Sequence, residues 1–288
     1  MKRRVTKKVS LILCLAMIFT MLLTACGKSE DASTGGDTAK TEEGTAGVDK
    51  IKSAGVLKVG CKVDVPKFGL QDTATGEYTG LEIDLAYEIA AKIFGVTAEE
   101  AKTKKLVEFQ GVTAKTRGAL LDNGELDLVL ATFTITEERK ESWNFSTPYF
   151  TDAVGLMSLA DASYTSVEDL DGAIIGVAQG SSTKDGIQKY ITDNNLAVTP
   201  QFQEFDGYPA LSAALSSGNI DIFSVDRAIL AGYNDDTTKI LPDRFAEQDY
   251  GVASALKNKD LAALVDGVVV ELKDSGKLAA MISDWGIE

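Results

Sequence analysis

One nine-residue phrase occurs twice. Leu121-Asp122-Asn123-Gly124-Glu125-Leu126-Asp127-Leu128-Val129 is echoed by Leu215-Ser216-Ser217-Gly218-Asn219-Ile220-Asp221-Ile222-Phe223. Each copy ends a helical pattern at a glycine turn and launches an apolar strand. The first copy sits among predicted strands over 57–61, 106–109 and 126–131, alternating with helices over 81–94 and 113–121. The second sits among strands over 173–178, 200–205 and 220–225, alternating with helices over 183–192 and 208–216. Apolar residues at 81, 85, 86, 89, 90, 93 and 94, closed by Gly95, give the helix over 81–94 a buried face. Strands alternating with helices predict α/β units with parallel sheets. Two such runs predict two similar lobes, although convergent helix–turn–strand chemistry could produce the same match. The stretch over 51–285 is long enough for two lobes of about 100 residues, each with its own core.

Charge narrows the function. The chain has 29 basic and 43 acidic residues. Five of the basic ones, Lys2, Arg3, Arg4, Lys7 and Lys8, precede an apolar run over 9–23 that leads to Leu23-Thr24-Ala25-Cys26-Gly27. This pattern predicts a secretory leader over 1–25 and a lipid-modified Cys26, so an extracytoplasmic protein anchored to the membrane by its lipid. Losing five from 29 leaves 24 basic against 43 acidic residues, a net charge of −19, which excludes a general nucleic-acid binder. Residues 26–50, rich in Gly, Ser, Thr, Ala, Asp and Glu, are predicted to form a flexible tether. The chain contains no histidine, which removes Ser/His/Asp and Cys/His catalysis and imidazole metal sites. We expect no catalytic residue, metal or cofactor. Cys61, inside an apolar run, is expected to be a buried thiol.

In such sheets ligands bind beyond the carboxyl ends of the strands, and with two lobes that places the site in the cleft between them. Three stretches there carry chemistry. After the strand over 126–131 come Thr132, Phe133, Thr134, Thr136 and Arg139. Hydroxyls, free N–H groups and a guanidinium can hold a carboxylate, although Thr136 and Arg139 also suit an ordinary helix start. After the strand over 173–178, Gln179-Gly180-Ser181-Ser182-Thr183 offers an anion cradle or a plain N-cap. After the strand over 220–225, Asp226 can hold an ammonium group, cap the next helix, or do both.

The run over 131–150, ATFTITEERKESWNFSTPYF, together with IIGVAQ and FSVD, resembles the amino-acid-binding proteins of bacterial ABC transporters, extracellular solute-binding family 3. The similarity extends over about 51–285. It implies a two-lobed periplasmic-binding-protein-like fold of type II, each lobe a central, mostly parallel sheet flanked by helices, joined by a double-strand hinge. Lobe 1 is then 51–150 with 252–288, lobe 2 is 155–247, and the hinges lie near 149–154 and 248–253. The C-terminal helices, over 260–274 and 277–285, return to lobe 1. The resemblance implies that Arg139, Ser182 and Thr183 hold a ligand α-carboxylate, that Asp226 holds its amino group, and that Tyr208 in DGYPA reaches it. It also implies a permease and ATPase as partners and a monomeric receptor.

Lys62 and Arg117 stand at side-chain-pocket positions. Relatives of basic or amide specificity often carry aspartate at the former, and relatives of acidic specificity tend to carry arginine at the latter. Two cations joining Arg139 in one cleft would be costly without a second carboxylate, so the expected ligand is glutamate or aspartate. Glutamine or another polar amino acid is the alternative. Val65 replaces a common aromatic lid, leaving Phe68 or Phe133 for that role. A dehydratase-like enzyme of the same fold acting on a small carboxylic acid would need an acid–base group, for which Glu82 and Glu108 are the candidates; each is more simply a surface residue.

Overall fold

The computed structural model of the protein describes residues 46–287. The predicted leader, Cys26 and the tether as far as residue 45 lie outside the described residues. The last five residues assigned to the tether do not behave as one. They open a helix, Ala46–Ala54, whose Ile51 is buried in the main apolar core while Val48 packs against it. The carboxylate of Asp260 accepts the Val48 N–H at 2.9 Å, tying this helix to the start of the helix Lys259–Asp274. Two apolar residues three apart and one borrowed cap are enough to dock a short helix that composition alone conceals.

Each lobe is built on three mutually parallel strands. In the first, Leu57–Cys61 lies between Val107–Gly111 and Leu128–Leu130. In the second, Ile174–Ala178 lies between Gln201–Phe205 and Ile222–Asp226. These are the strands that the alternating pattern predicts, with ends moved by up to two residues. Antiparallel strands complete both sheets and make them mixed. Ala253–Ala255 and Trp143–Phe145 extend the first. The ten-residue strand Phe150–Leu159 extends the second and carries Thr238–Ile240 and Phe245–Tyr250. A small antiparallel sheet of Asp64–Val65, Gly69–Gln71 and Tyr78–Thr79 completes the strand inventory of the described residues.

The chain leaves the first sheet after Trp143–Phe145 and returns to it at Ala253–Ala255. Its outward and return segments pair antiparallel, Phe150 opposite Tyr250 and Thr151 opposite Asp249. The Tyr149 N–H donates to the Tyr250 carbonyl at 2.9 Å. The two lobes are therefore joined by two strands bonded to each other.

One predicted helix begins late. Thr113 and Thr116 exchange side-chain and backbone hydrogen bonds of 3.0–3.3 Å, forming a turn in place of the first helical residues, and the helix is Arg117–Asp122. Threonine side chains competing for nearby backbone groups favour such a turn over a helix interior.

Candidate inter-lobe binding site

The first lobe presents a strained turn. Beyond the strand Leu128–Leu130, Thr132 has φ of 45°, a left-handed conformation uncommon for a β-branched residue. Its backbone is gripped from both sides. Glu82 Oε1 accepts the Thr132 N–H at 2.6 Å, and Arg117 Nη1 donates to the carbonyls of Ala131 at 2.6 Å and Thr132 at 3.1 Å. Phe133 then lies beside two guanidinium groups, with Arg117 3.9 Å and Arg139 5.0 Å from its ring centre. Such stacking suits guanidinium better than ammonium. Phe133, 2 % exposed, also packs against Trp143 and Phe145. Phe68 is fully buried against Phe150 and Tyr250 in the core and is no lid.

Arg139 combines an ordinary helix start with a guanidinium that spans the cleft. The Arg139 N–H is capped by Thr136 Oγ1 at 3.1 Å, as in an ordinary helix start. Its guanidinium meanwhile donates to the Thr134 carbonyl at 2.8 Å and, across the cleft, to the Gly180 carbonyl at 3.2 Å. Burial and the neighbouring Arg117 lower its pKa to about 10.

Gln248 is the second bridge between lobes. Its Oε1 accepts from the hydroxyls of Thr134 at 2.7 Å and Ser182 at 2.8 Å, while its amide nitrogen donates to the Ala246 carbonyl. Ser182 therefore makes no side-chain cap for the helix Thr183–Asp193. Thr183 is 1 % exposed. Asp226 stands at the N-cap position of the helix Arg227–Ala231 but caps nothing with its side chain; its Oδ2 accepts from the Tyr250 hydroxyl. Burial raises its pKa to about 7, against the pull of Tyr250, Arg117 and Arg139.

Lys62 is paired. Its Nζ lies 3.0 Å from Asp64 Oδ1 and 4.4 Å from the centre of the buried Tyr208 ring. Burial pushes the pKa of Lys62 down, and that of Arg117 likewise. Further contacts cross the cleft. The Tyr233 hydroxyl donates to the Asp64 carbonyl at 2.6 Å, and Lys115 reaches Asp206 at 4.0 Å.

Of the ten predicted site residues, Arg117, Thr132, Phe133, Thr134 and Arg139 gather around one turn, Lys62 meets Tyr208, Ser182 meets Gln248, Asp226 meets Tyr250, and Thr183 is buried at the start of its helix. The sequence reading missed others. Glu82 is no surface group: it is fully buried, with Oε1 also accepting from the Tyr149 hydroxyl, and burial raises its pKa. The signal was present, since 82, 86, 89 and 93 share one helical face and the other three are buried apolar residues. Glu108, on the exposed side of its strand, is the surface residue expected. Tyr149 and Tyr250, from the paired connecting segments, hold Glu82 and Asp226. The cleft gathers three cations, Lys62, Arg117 and Arg139, and three carboxyl groups, Asp64, Glu82 and Asp226. Several buried atoms there have no hydrogen-bond partner: Arg117 Nε, Thr132 Oγ1, Glu82 Oε2, Ser181 Oγ and Asp64 Oδ1, the last holding Lys62 by charge. Buried polar atoms without partners are costly, and a polar guest would satisfy them.

Comparisons with known proteins agree with this architecture. The chain is 35 % identical over 267 residues to the glutamine-binding protein of Geobacillus stearothermophilus, covering 90 % of this chain and 97 % of that one. It is 32 % identical over 220 residues to the glutamate-binding protein GluB of Corynebacterium efficiens, covering 76 % and 67 %. Among solved structures, a mutant of the T. maritima protein ArgBP matches with a TM-score of 0.71 at 28 % identity, covering 83 % of this chain and 98 % of that one. Residues 57–288 match the model of the bacterial extracellular solute-binding proteins, family 3, and the chain belongs to that family.

Proposed function

We propose that the protein captures a polar amino acid with an uncharged side chain, glutamine first, and delivers it as the closed form to the permease and ATPase of an ABC importer. The observation that carries the choice of ligand is the Lys62–Asp64 pair at 3.0 Å. The expectation of an acidic ligand counted Lys62 and Arg117 as cations in need of a second carboxylate. Lys62 has its carboxylate already, and Arg117 is held by two carbonyls, with Glu82 buried nearby. A zwitterion with a neutral side chain leaves the three-against-three balance intact. A second ligand carboxylate would sit uncompensated beside Glu82, at a cost of several kcal/mol for a buried unpaired charge. The greater identity and coverage of the glutamine-binding relative support the same choice.

In this reading Arg139, Ser182 and Thr183 hold the α-carboxylate, Asp226 holds the ammonium, and Phe133 packs over the ligand. Because both lobes contribute, the ligand favours the closed arrangement and shifts the population toward it. The reading includes lipid attachment at Cys26 and a monomeric receptor that releases its ligand unchanged. A thermal-unfolding screen of the purified, ligand-stripped protein against single amino acids tests it. Glutamine at 100 times its Kd should stabilise the protein by about 2.7 kcal/mol, seen as a higher Tm. A larger shift with glutamate or aspartate would return the assignment to an acidic ligand. Turnover of a small carboxylic acid without a Tm shift from any amino acid would point to an enzyme.

A further inference from the structure

We propose that Glu82 is the residue that distinguishes a ligand amide from a ligand carboxylate. The inference rests on the glutamine reading above and assigns a specificity determinant within it. Three unpartnered buried atoms belong to side chains converging on one residue. Glu82 grips the Thr132 N–H, Arg117 grips the Thr132 carbonyl, and Thr132 carries its own hydroxyl. Each leaves one atom over: Glu82 Oε2, an acceptor when the carboxyl is ionised beside Arg117; Arg117 Nε, a donor; Thr132 Oγ1, which can be either and lies toward the Tyr208 hydroxyl. Glu82 is fully buried and Arg117 is 3 % exposed, so bulk water satisfies neither. Glu82 and Arg117 feel each other's charge, yet among the described residues no ion pair within 4.0 Å joins Glu82 to any cation.

An orphan acceptor and an orphan donor flanking one turn call for a guest group that both donates and accepts. A carboxamide does so, its oxygen accepting from Arg117 Nε and its nitrogen donating to Glu82 Oε2. A carboxylate offers only acceptors and meets the ionised Glu82 oxygen, which the Arg117 charge favours, with repulsion. The other Glu82 oxygen is committed to Thr132 and Tyr149, so the side chain cannot turn away without breaking both bonds. The same residue thereby sets the shape of the turn and the chemistry of the pocket. Sites that hydrogen-bond a substrate group reject analogues lacking it far more strongly than apolar pockets do.

Calorimetric titration of the wild-type protein and Glu82→Gln with glutamine and glutamate provides the test. The substitution keeps the shape and presents an amide that can donate to a ligand carboxylate. The ratio of glutamine to glutamate affinity should fall by about tenfold or more, with glutamate binding strengthened in absolute terms. A purely structural role would weaken both ligands in proportion, and an unmoved ratio overturns the assignment. Should Glu82→Gln fail to fold, the wild-type protein is titrated with the γ-methyl ester of glutamate, neutral like glutamine but without the N–H donor. Glutamine should bind at least tenfold more tightly than the ester, and equal affinities overturn the assignment. Absence of any glutamine binding by the wild-type protein overturns the function proposed above and this inference together; glutamine binding with an unchanged ratio overturns this inference alone.

Discussion

Asp226 carries the clearest pH signature of any residue in the cleft. Burial raises its pKa from 3.8 to about 7, Asp152 pushes in the same direction, and the Tyr250 hydroxyl, Arg117 and Arg139 pull the other way. A ligand ammonium beside it would hold the carboxylate ionised. Binding should therefore release a proton, and affinity should weaken as pH falls below about 7, by up to tenfold per unit. Titration in two buffers of different ionisation enthalpy reads the proton directly. In the ligand-free protein the sign reverses. A folded-state pKa above the unfolded one makes a contribution to stability that is complete below about pH 4 and is lost as pH rises through 7. Asp226→Asn should flatten that slope in urea unfolding, while an unchanged slope would assign it elsewhere. Asp226 was legible as a strand-end carboxylate, as were Arg139 and its threonines. The partners of Lys62 and Arg117 were missed: the Asp64 carboxylate stands only two residues from Lys62 and was readable, whereas the bond from Arg117 to a carbonyl fourteen residues away depends on tertiary geometry. With those partners unseen, the two cations were counted as free, and an acidic ligand was the expected one.

At the scale of elements, the parallel strands and their helices were readable because each carries an apolar face of the right period. Three of the antiparallel strands were not, since Trp143–Phe145, Thr238–Ile240 and Ala253–Ala255 are each three residues long, too short for a pattern. The helix Ala46–Ala54 was hidden for a related reason, its polar surroundings masking two apolar residues. Its Ile51, 2 % exposed, anchors it to the core. Ile51→Ala should cost about 2–5 kcal/mol, measured by urea unfolding, with ligand affinity little changed. A loss below about 0.5 kcal/mol would show that this helix is not docked in solution. Cys61, in contrast, matches its reading: it is fully buried, and burial together with Glu82 pushes its thiol pKa up.

For the whole molecule, binding depends on two lobes meeting over one ligand. The duplicated helix–turn–strand phrase gave the lobes, but neither their mixed sheets nor the bridging Gln248 follows from it. Gly232, whose φ of −77° any residue can adopt, faces Pro66 across the cleft, and an added Cβ would lie 3.0 Å from that ring. Gly232→Val should therefore oppose closure alone, weakening every ligand by tenfold or more while leaving urea stability of the ligand-free protein within about 0.5 kcal/mol. Unchanged affinity would mean that binding does not need this approach of the lobes. The central claim is that a charge-balanced, two-lobed cleft closes on an amide amino acid, and calorimetric titration of the wild-type protein with glutamine and glutamate side by side tests it most directly. Glutamine should bind more tightly, with one-to-one stoichiometry; tighter binding of glutamate, or no binding of either, would contradict that claim.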